Sequence, residues 1–201
     1  MPKTICLALT GASGMPYGLR LLECLLTAGC SVQLLYSQAA QVVARQELDF
    51  ELPSRPAETK AALLARFPAV DPDKLTVYGR EEWFAPVASG SNPPDAMVVC
   101  PCSMGTLAAI AQGLADKLIE RAADVVLKEG RKLVLVPRET PFSAIHLENM
   151  LRLARAGAVI LPPSPGFYHH PQSVQDIVDF VVARVLDQIA VPHRLMARWG
   201  A

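Results

Sequence analysis

The chain has 201 residues, enough for one domain with a full hydrophobic core and short for two. Its 19 lysines and arginines balance its 19 aspartates and glutamates, which argues against a nucleic-acid groove and a basic membrane-binding face. Apolar residues make up 51% of the chain, which is rich for a soluble monomer and predicts a homo-oligomer whose interfaces cover part of the surface.

The chain contains no sequence that predicts membrane insertion or export. No apolar run approaches the roughly 18 residues of a membrane span. The chain enters its first predicted strand almost at once, without the three-part pattern of a secretory signal. We therefore expect a cytoplasmic protein with no membrane span.

Apolar, β-branched runs alternate with helical patterns along the chain. Strands are predicted at Ile5–Leu9, Val32–Tyr36, Leu75–Tyr78, Met97–Cys100, Leu133–Val136 and Val159–Leu161. Helices are predicted at Tyr17–Ala28, Gln38–Arg45, Glu58–Phe67, Thr106–Leu114, Arg121–Lys128, Ala144–Ala156 and Val174–Ile189. This alternation is typical of a doubly wound, mostly parallel α/β sheet with helices on both faces, Rossmann-like or flavodoxin-like. We expect a single domain over residues 1–201, with a C-terminal tail from about residue 190 at an oligomer interface.

Hydroxyl side chains follow several of the predicted strands. Cys100-Pro-Cys-Ser-Met-Gly-Thr106 closes an apolar strand and opens a helix. A helix N-terminus has unpaired N–H groups and a partial positive charge, so Ser103 and Thr106 are suited to hold a phosphate. The first strand leads into Gly11-Ala-Ser-Gly14, and the second ends at Ser37. Because ligands of open parallel sheets bind at the carboxyl ends of the strands, these loops predict one site for an anionic ligand.

The glycine-containing loop fits two common sites poorly. Its spacing is not G-x-G-x-x-G, and Ser37 stands where a nicotinamide-binding fold carries an acidic residue for the ribose. Ser13 is not a nucleophile elbow, because Met15 stands where that motif needs glycine. A mononucleotide phosphate held by the strand-end hydroxyls fits better, with a simple glycine turn as the alternative.

The cysteines and histidines predict no metal site. Cys100 and Cys102 are one residue apart, which matches neither a redox C-x-x-C motif nor zinc-ligand spacing. We expect the five cysteines to pack in core elements and loops as small hydrophobic residues. The four histidines are scattered and form no H-E-x-x-H pattern.

Charged residues in or near apolar segments suggest a second anion site. They are Arg121, Lys128, Arg138, Glu139 and Arg184. A buried charge needs a partner, and four cations around one carboxylate would hold a second phosphate without a metal ion. The alternative for each is an ordinary surface or helix-end charge.

Several segments recur together in one family. They are Gly11-Ala-Ser-Gly14, Ala88-Ser-Gly-Ser91, Cys100-Pro-Cys-Ser103, Arg121-Ala-Ala-Asp124, Pro137-Arg-Glu-Thr-Pro141, Gly166-Phe-Tyr168 and Val182-Ala-Arg184. In this order, over nearly the whole chain, they resemble the flavin prenyltransferases of the UbiX family. These enzymes were once described as 3-octaprenyl-4-hydroxybenzoate carboxy-lyases, and phenylacrylic acid decarboxylases are similar to them. Each motif is modest alone, but the co-linear set is highly specific.

The resemblance implies an enzyme that transfers a dimethylallyl group from dimethylallyl monophosphate to N5 and C6 of reduced FMN, without a metal ion. The prenylated FMN would serve a partner decarboxylase of the UbiD type, in ubiquinone synthesis or in aromatic-acid breakdown. The resemblance also implies a homo-oligomer, usually a dodecamer in this family.

The resemblance also assigns residues to the two substrates. The expected FMN contacts are Gly11, Ala12, Ser13, Ser37, Ser103, Met104, Gly105, Thr106 and Arg138. The expected prenyl phosphate contacts are Ser89, Gly90, Arg121, Lys128, Arg138, Glu139, Tyr168 and Arg184. Catalytic positions are expected at Glu139, Lys128, Tyr168, Arg184, Arg121, Glu47 and Trp83. In this scheme the cations stabilise the leaving phosphate, Trp83 faces the allyl cation and Glu139 protonates the phosphate.

Three other functions are the alternatives. An FMN-dependent cysteine decarboxylase relies on a catalytic histidine near the first helix, and this chain has no histidine before His146. A non-catalytic FMN carrier needs only one phosphate pocket, so the second charged set argues against it. Direct decarboxylation of an aromatic acid is the older interpretation of the family. Assays of the purified protein alone and with a partner decarboxylase would separate these functions.

Overall fold

The computed structural model describes residues 2–196 and 200, and its centre is a six-stranded sheet. The strands are β1 (Thr4–Leu9), β2 (Ser31–Tyr36), β3 (Leu75–Val77), β4 (Ala96–Cys102), β5 (Lys132–Pro137) and β6 (Val159–Ile160). They lie in the order β3-β2-β1-β4-β5-β6, and neighbouring strands are parallel. The prediction of a doubly wound parallel sheet is confirmed, with the strand order of the Rossmann type.

Helices connect the strands. They are α1 (Met15–Thr27), α2 (Gln38–Leu48), α3 (Pro56–Arg66), α4 (Met104–Ala111), α5 (Leu118–Lys128), α6 (Ala144–Arg155) and α7 (Val174–Gln188). Short 3-10 helices lie at Pro72–Lys74 and Pro86–Ala88. In the part of the chain that the structure describes, no helix has the length and apolar character needed to cross a bilayer.

The strands are apolar on both sides because helices cover both faces of the sheet. Leu7 and Leu9 of β1 pack in the same core layer as α1 and α7, whereas Cys6 and Ala8 pack in the layer of α4, α5 and α6. This alternation follows from the two-residue period of a strand. The core is therefore two layers, one on each side of the sheet.

The two ends of the strands define two edges of the sheet. All strands run in the same direction, so the loops that follow them share one edge, called the carboxyl edge below. The crossover helices return the chain to the opposite edge, called the amino edge. A residue just before a crossover helix therefore lies near the carboxyl edge, and a residue just after it lies near the amino edge.

The predicted elements are all present, and their ends differ from the structure by up to three residues. Helix α4 begins at Met104 rather than Thr106, because Ser103 already caps it by accepting the N–H of Thr106. Strand β4 continues through Pro101 to Cys102, so the proline does not end the strand as expected. Helix α5 begins at Leu118, three residues before the predicted start.

The chain folds back after α7. The N–H of Val191 donates to the carbonyl of Leu186 at 3.0 Å, and the Lys3 ammonium donates to the carbonyls of Ile189 and Ala190 at 2.7 and 2.8 Å. Residues 197–199 and 201 of the predicted tail lie outside the described residues. The interface role of the tail stays a prediction.

Candidate active site

The expected FMN contacts lie on loops and in the first turn of α4 at the carboxyl edge. They follow β1 (Gly11, Ala12, Ser13), β2 (Ser37), β4 (Ser103, Met104, Gly105, Thr106) and β5 (Arg138). Strands β1 and β4 are neighbours in the sheet although β2 and β3 lie between them in sequence. The strand order therefore reverses between β1 and β4, which is where open parallel sheets bind ligands.

Thr10 joins the ends of β1 and β4. Its side chain is fully buried, and its hydroxyl donates to the carbonyl of Pro101 at 2.8 Å. The same oxygen accepts the backbone N–H of Ser103 at 2.8 Å. The backbone N–H of Thr10 also donates to Pro101, at 3.2 Å. These bonds fix the loop that leads into α4 relative to the glycine-containing loop after β1.

The first turn of α4 is built around Ser103. Its hydroxyl donates to Thr106 Oγ1 at 3.1 Å and accepts the Thr106 N–H at 3.3 Å. Ser103 is therefore the helix cap, and the Thr106 hydroxyl hydrogen and the first backbone N–H groups are the donors left for an anion. A Cβ added at Gly105 would meet no atom within 4 Å, so this turn faces open space.

Glu47 of α2 occupies the N-terminus of α1. Its carboxylate accepts the N–H of Gly14 at 3.0 Å and that of Met15 at 2.8 Å. A carboxylate here satisfies the unpaired N–H groups and the positive end of the helix dipole. In a dinucleotide-binding fold the pyrophosphate takes this position, so the contact supports the sequence argument against a nicotinamide cofactor.

A cavity of about 950 Å³ lies beside Ser37 and Thr106. The starts of three helices line it, with Ser37 at α2, Thr106 in α4 and Leu118 at α5. The N-termini of α2 and α4 direct partial positive charge into this cavity, which suits a phosphate, whereas the start of α5 is closed by Glu120, whose carboxylate accepts the N–H groups of Asp116 and Lys117. Arg80 also lines the cavity and donates to the side-chain oxygen of Gln38 at 3.3 Å.

Arg138 provides an observation that fits a bound flavin. Its backbone N–H donates to the carbonyl of Cys102 at 3.3 Å, at the ends of β4 and β5. Its side-chain Nε is buried and has no hydrogen-bond partner within residues 2–196 and 200. Leaving a buried donor unpaired costs free energy, and a flavin carbonyl or phosphate oxygen would accept from it. The residues at the carboxyl edge therefore fit FMN.

Four of the expected prenyl phosphate contacts gather around α5. This α5 cluster consists of Ser89, Gly90, Arg121 and Lys128. The Nε of Arg121 donates to the carbonyl of Ala88 at 3.0 Å. Lys128 pairs with Glu129 directly beside Gly90, where an added Cβ would collide with both side chains. The glycine therefore allows the loop to approach the lysine closely.

Two further expected contacts, Tyr168 and Arg184, line a second cavity of about 1150 Å³, called the α7 cavity. The Arg184 side chain is 52% exposed and pairs with Asp187 at 2.9 Å. Arg184 lies within an apolar stretch of sequence, but the apolar side of α7 faces the sheet and the arginine faces away from it, which matches the alternative of a surface charge. We expected Glu139 to be the carboxylate among the cations, whereas Arg184 pairs with Asp187.

The α5 cluster and the α7 cavity are not joined within one chain. Helices α5 and α7 pack on opposite faces of the sheet. Lys128 ends α5 at the amino edge, whereas Glu139 follows β5 at the carboxyl edge, beside Arg138. The six residues of β5 separate these edges by roughly 20 Å. The expected ring of four cations around Glu139 therefore does not form in a single chain.

The remaining two expected catalytic positions lie on loops. The carboxylate of Glu139 accepts the N–H of Thr140 at 3.2 Å. Trp83 lies in the loop after β3 and is 44% exposed. Both loops leave the carboxyl edge, so a ligand at that edge has a carboxylate and an indole ring within the same set of loops.

Two residues at this edge were not singled out from the sequence. Thr10 directly follows a buried strand and precedes a glycine, a signal that could have suggested a buried hydroxyl at the strand end. Arg80 follows β3 closely, and only the fold shows that this loop borders the helix N-termini.

Comparisons with known proteins identify the family of this chain. The chain matches the Flavoprotein family over residues 1–186. It is 56% identical over 199 residues to the flavin prenyltransferase UbiX of Pseudomonas aeruginosa, covering 99% of this chain and 95% of that protein. This chain therefore belongs to the UbiX family of flavin prenyltransferases.

Two solved structures share the fold over nearly the full length. The structure of AnUbiX (PadA1) in complex with FMN and dimethylallyl pyrophosphate is 41% identical, with a TM-score of 0.88, and the match covers 100% of this chain and 99% of that one. The dodecameric FMN-dependent UbiX-like decarboxylase from Escherichia coli O157:H7 is 44% identical, with a TM-score of 0.86, covering 98% and 100%.

Proposed function

We propose that this chain transfers a dimethylallyl group from dimethylallyl monophosphate to N5 and C6 of reduced FMN. The observation that carries the proposal is the flavin-compatible carboxyl edge, where Arg138 has a buried unpaired donor and the N-termini of α2 and α4 border one cavity. Bound FMN would supply the nucleophilic ring atoms. The residues of the chain would bind and orient the two phosphates, exclude water and move protons.

The FMN phosphate would lie in the cavity formed at the starts of α2, α4 and α5. There the Thr106 hydroxyl and the first N–H groups of α4 would donate to it, with Ser37 and Ser103 holding the helix starts. Arg138 would donate to the flavin, and the loop Gly11-Ala-Ser13 would border the ring. Glu47, held beside this loop by the N-terminus of α1, is placed to accept a proton there.

The prenyl phosphate would bind between copies of the chain. Breaking an allylic C–O bond builds negative charge on the phosphate, so preorganised cations lower the barrier. Lys128 and Arg184 are the proposed cations, and they lie on opposite faces of the sheet in one chain. Pairing the α5 cluster of one copy with the α7 cavity of another would bring the two cations together, and the site would be complete where this pair lies against a carboxyl edge that carries Glu139 and Trp83.

Mixing two inactive variants tests this sharing. We expect Lys128→Ala and Arg184→Ala each to form almost no adduct alone. In oligomers co-assembled from both, sites made from two chains would carry both intact residues in roughly a quarter of cases. Recovery of activity is therefore expected. If every site were built from one chain, each would still carry one substitution, and mixing would recover nothing.

The proposed reaction is tested directly by mass analysis of the flavin. The purified protein is incubated anaerobically with reduced FMN and dimethylallyl monophosphate, and the extracted flavin is expected to carry one added dimethylallyl group. Unmodified FMN from a folded preparation that binds FMN would support a carrier instead. Carbon dioxide release from an aromatic acid by this protein alone would support direct decarboxylation.

We further propose that no divalent metal is required, because Arg121, Lys128 and Arg184 would neutralise the leaving phosphate. Adduct formation is expected to be unchanged in EDTA, and a loss that magnesium restores would contradict this.

The product is proposed to serve a UbiD-type decarboxylase in the cytoplasm. The five cysteines are unpaired thiols, which fits a reducing compartment. Adding the product to an inactive apo-decarboxylase of this type is expected to restore its activity.

A further inference from the structure

Arg184 has one hydrogen-bonded carboxylate beside it, and that carboxylate has a second partner. The NH1 group of Arg184 donates to Asp187 Oδ2 at 2.9 Å. The other carboxylate oxygen, Oδ1, lies 3.2 Å from His193 Nε2. All three residues line the α7 cavity. Asp187 therefore bridges the arginine of α7 and a histidine from the segment that follows the helix.

The hydrogen bonds of His193 fix how it contacts Asp187. Its Nδ1 accepts the backbone N–H of Leu195 at 3.4 Å, so in the neutral ring the proton lies on Nε2. Nε2–H then donates to Asp187 Oδ1. The His193 side chain is 15% exposed, far less than the 52% of Arg184. The ring is thus a well-packed donor that holds the carboxylate from the side opposite the arginine.

The segment that carries His193 is anchored to the body of the domain. The N–H of Ala190 donates to the carbonyl of Asp187 at 3.1 Å, and Ala190 has a φ of 51°, which turns the chain back after α7. Lys3 donates to the carbonyls of Ile189 and Ala190. The histidine is therefore held by backbone contacts that do not depend on Arg184.

We propose that Asp187, held by His193, is a positioning residue that orients the Arg184 guanidinium for the prenyl phosphate. This inference rests on the proposed role of Arg184. One N–H of the guanidinium is bonded to Asp187, and the remaining donors of the planar group stay available for two phosphate oxygens. Without the carboxylate, the half-exposed arginine would have to be ordered when substrate binds, and that ordering weakens binding.

The negative charge of Asp187 could also affect phosphate binding in the opposite direction. Asp187 cancels part of the positive charge that Arg184 and Arg194 contribute to the same cavity. If charge balance mattered more than orientation, removing the carboxylate would tighten binding of the dianion. The direction of the change in KM therefore separates the two effects.

The test measures adduct formation by Asp187→Ala, with His193→Ala and His193→Gln beside it. For Asp187→Ala we expect KM for dimethylallyl monophosphate to rise about 3- to 10-fold, with kcat and the Kd for FMN within about twofold of the wild type. For His193→Ala we expect a smaller rise in this KM. His193→Gln, whose amide can still donate to Asp187, is expected to restore most of the wild-type KM.

A double-variant cycle gives the readout that a merely structural role would not produce. In an Arg184→Ala background, which is expected to form almost no adduct, the Kd for dimethylallyl monophosphate is measured directly by calorimetry. Asp187→Ala is expected to cause no further rise in this Kd, because the residue acts only through the arginine. An additional rise there, or an unchanged or lower KM in the single variant, would overturn the inference. Arg184→Ala with a wild-type Kd for dimethylallyl monophosphate would instead remove the role on which the inference rests, and a wild-type protein that forms no adduct would contradict the proposed function itself.

Discussion

Thr10 shows how one buried hydroxyl can set the geometry of a ligand-binding edge. It is bonded on one side to the carbonyl of Pro101 and on the other to the N–H of Ser103. Ser103 in turn caps α4. The start of the proposed phosphate-binding helix is therefore held to β1 through a single oxygen atom.

Replacing Thr10 with valine keeps the shape and removes that oxygen. The Ser103 N–H then loses its acceptor, so we expect the free energy of unfolding to fall by about 1–3 kcal/mol. FMN affinity is expected to weaken by about tenfold, measured by fluorescence titration, because the start of α4 is no longer fixed. Thr10→Ser should behave nearly as the wild type. Thr76→Val, at an exposed threonine of β3, is the matched control and should change neither quantity. Unchanged FMN affinity in Thr10→Val would contradict the role.

The cysteines give a prediction about pH. Burial raises the pKa of the Cys6 thiol to about 12 and that of Cys102 to about 12, from an ordinary value of 9.0. Burial also raises the pKa of Cys100. Because the folded-state pKa values lie above the unfolded ones, their contribution to stability is complete below about pH 9 and is lost as the pH rises toward about 12.

We therefore expect the free energy of unfolding, measured in urea, to decline as the pH rises above about 9. Cys6→Ala should reduce the steepness of this decline, since it removes one of the titrating groups. At neutral pH these three thiols should resist alkylation in the native protein and react after unfolding, because the thiolate is the reactive form. Rapid native labelling of Cys6 or Cys102 would show that they are not buried as described.

At the scale of elements, an ion pair joins the helices that cover one face of the sheet. Arg20 of α1 donates from Nε to Asp179 Oδ1 of α7 at 2.7 Å and from NH2 to Oδ2 at 3.2 Å. The two side chains are only 27% and 17% exposed. The hydrogen bond with Asp179 raises the pKa of Arg20, so this two-point contact favours the charged arginine.

Asp179→Ala is expected to lower the free energy of unfolding by about 1–2 kcal/mol, because among the described residues it leaves the partly buried guanidinium with Glu23 as its remaining partner. The matched control is Glu58→Ala, which breaks the pair between Arg55 and Glu58, whose side chains are 82% and 52% exposed. Exposed pairs contribute about 0–1 kcal/mol, so the control should change little. Equal effects of the two substitutions in urea unfolding would contradict the assignment.

The sheet and helices were predictable because local patterns determine them. Buried parallel strands are continuous apolar runs, and the helices between them have amphipathic spacing. The ends were less certain because caps decide them: Ser103 moves the start of α4, and the Glu120 side chain accepts backbone N–H groups just before α5. These contacts depend on side-chain geometry, which an apolar sequence pattern does not show.

The candidate site was predictable only where its parts lie in short segments. The glycine-containing loop and Cys100-Pro-Cys-Ser103 could be identified from the sequence, and the parallel sheet brings both to one edge. The contact of Glu47 with Gly14 spans 33 residues, so the sequence does not show that the carboxylate caps α1. Lys128 and Glu139 are far apart because α5 runs toward the amino edge, whereas β5 runs back to the carboxyl edge. The apolar residues around each charge do not show this direction.

At the scale of the whole molecule, one helix presents apolar side chains to the outside. Ile145, Leu147 and Leu151 of α6 are 68%, 53% and 50% exposed, while Met150 and Leu153 on its other side are buried in the core. Phe142, just before the helix, is 37% exposed. Apolar surface of this kind is typical of a subunit interface, which agrees with the apolar composition of the chain.

We expect this face of α6 to pack against another copy, so charged substitutions there should disrupt the oligomer. The triple variant Ile145→Asp, Leu147→Asp, Leu151→Asp is expected to have a smaller mass in light scattering after gel filtration, because each buried aspartate would lose its hydration. Its folded core should survive, since these side chains do not contribute to it. The matched control, Glu148→Ala, Arg152→Ala and Arg155→Ala, changes exposed charged positions of the same helix and tests whether loss of the helix's charges alone dissociates the oligomer.

If the prenyl phosphate site is shared between copies, the dissociated variant should still bind FMN at its carboxyl edge but form no adduct. A dissociated variant with full activity would place the whole site within one chain, and a variant of unchanged mass would exclude α6 from the interface.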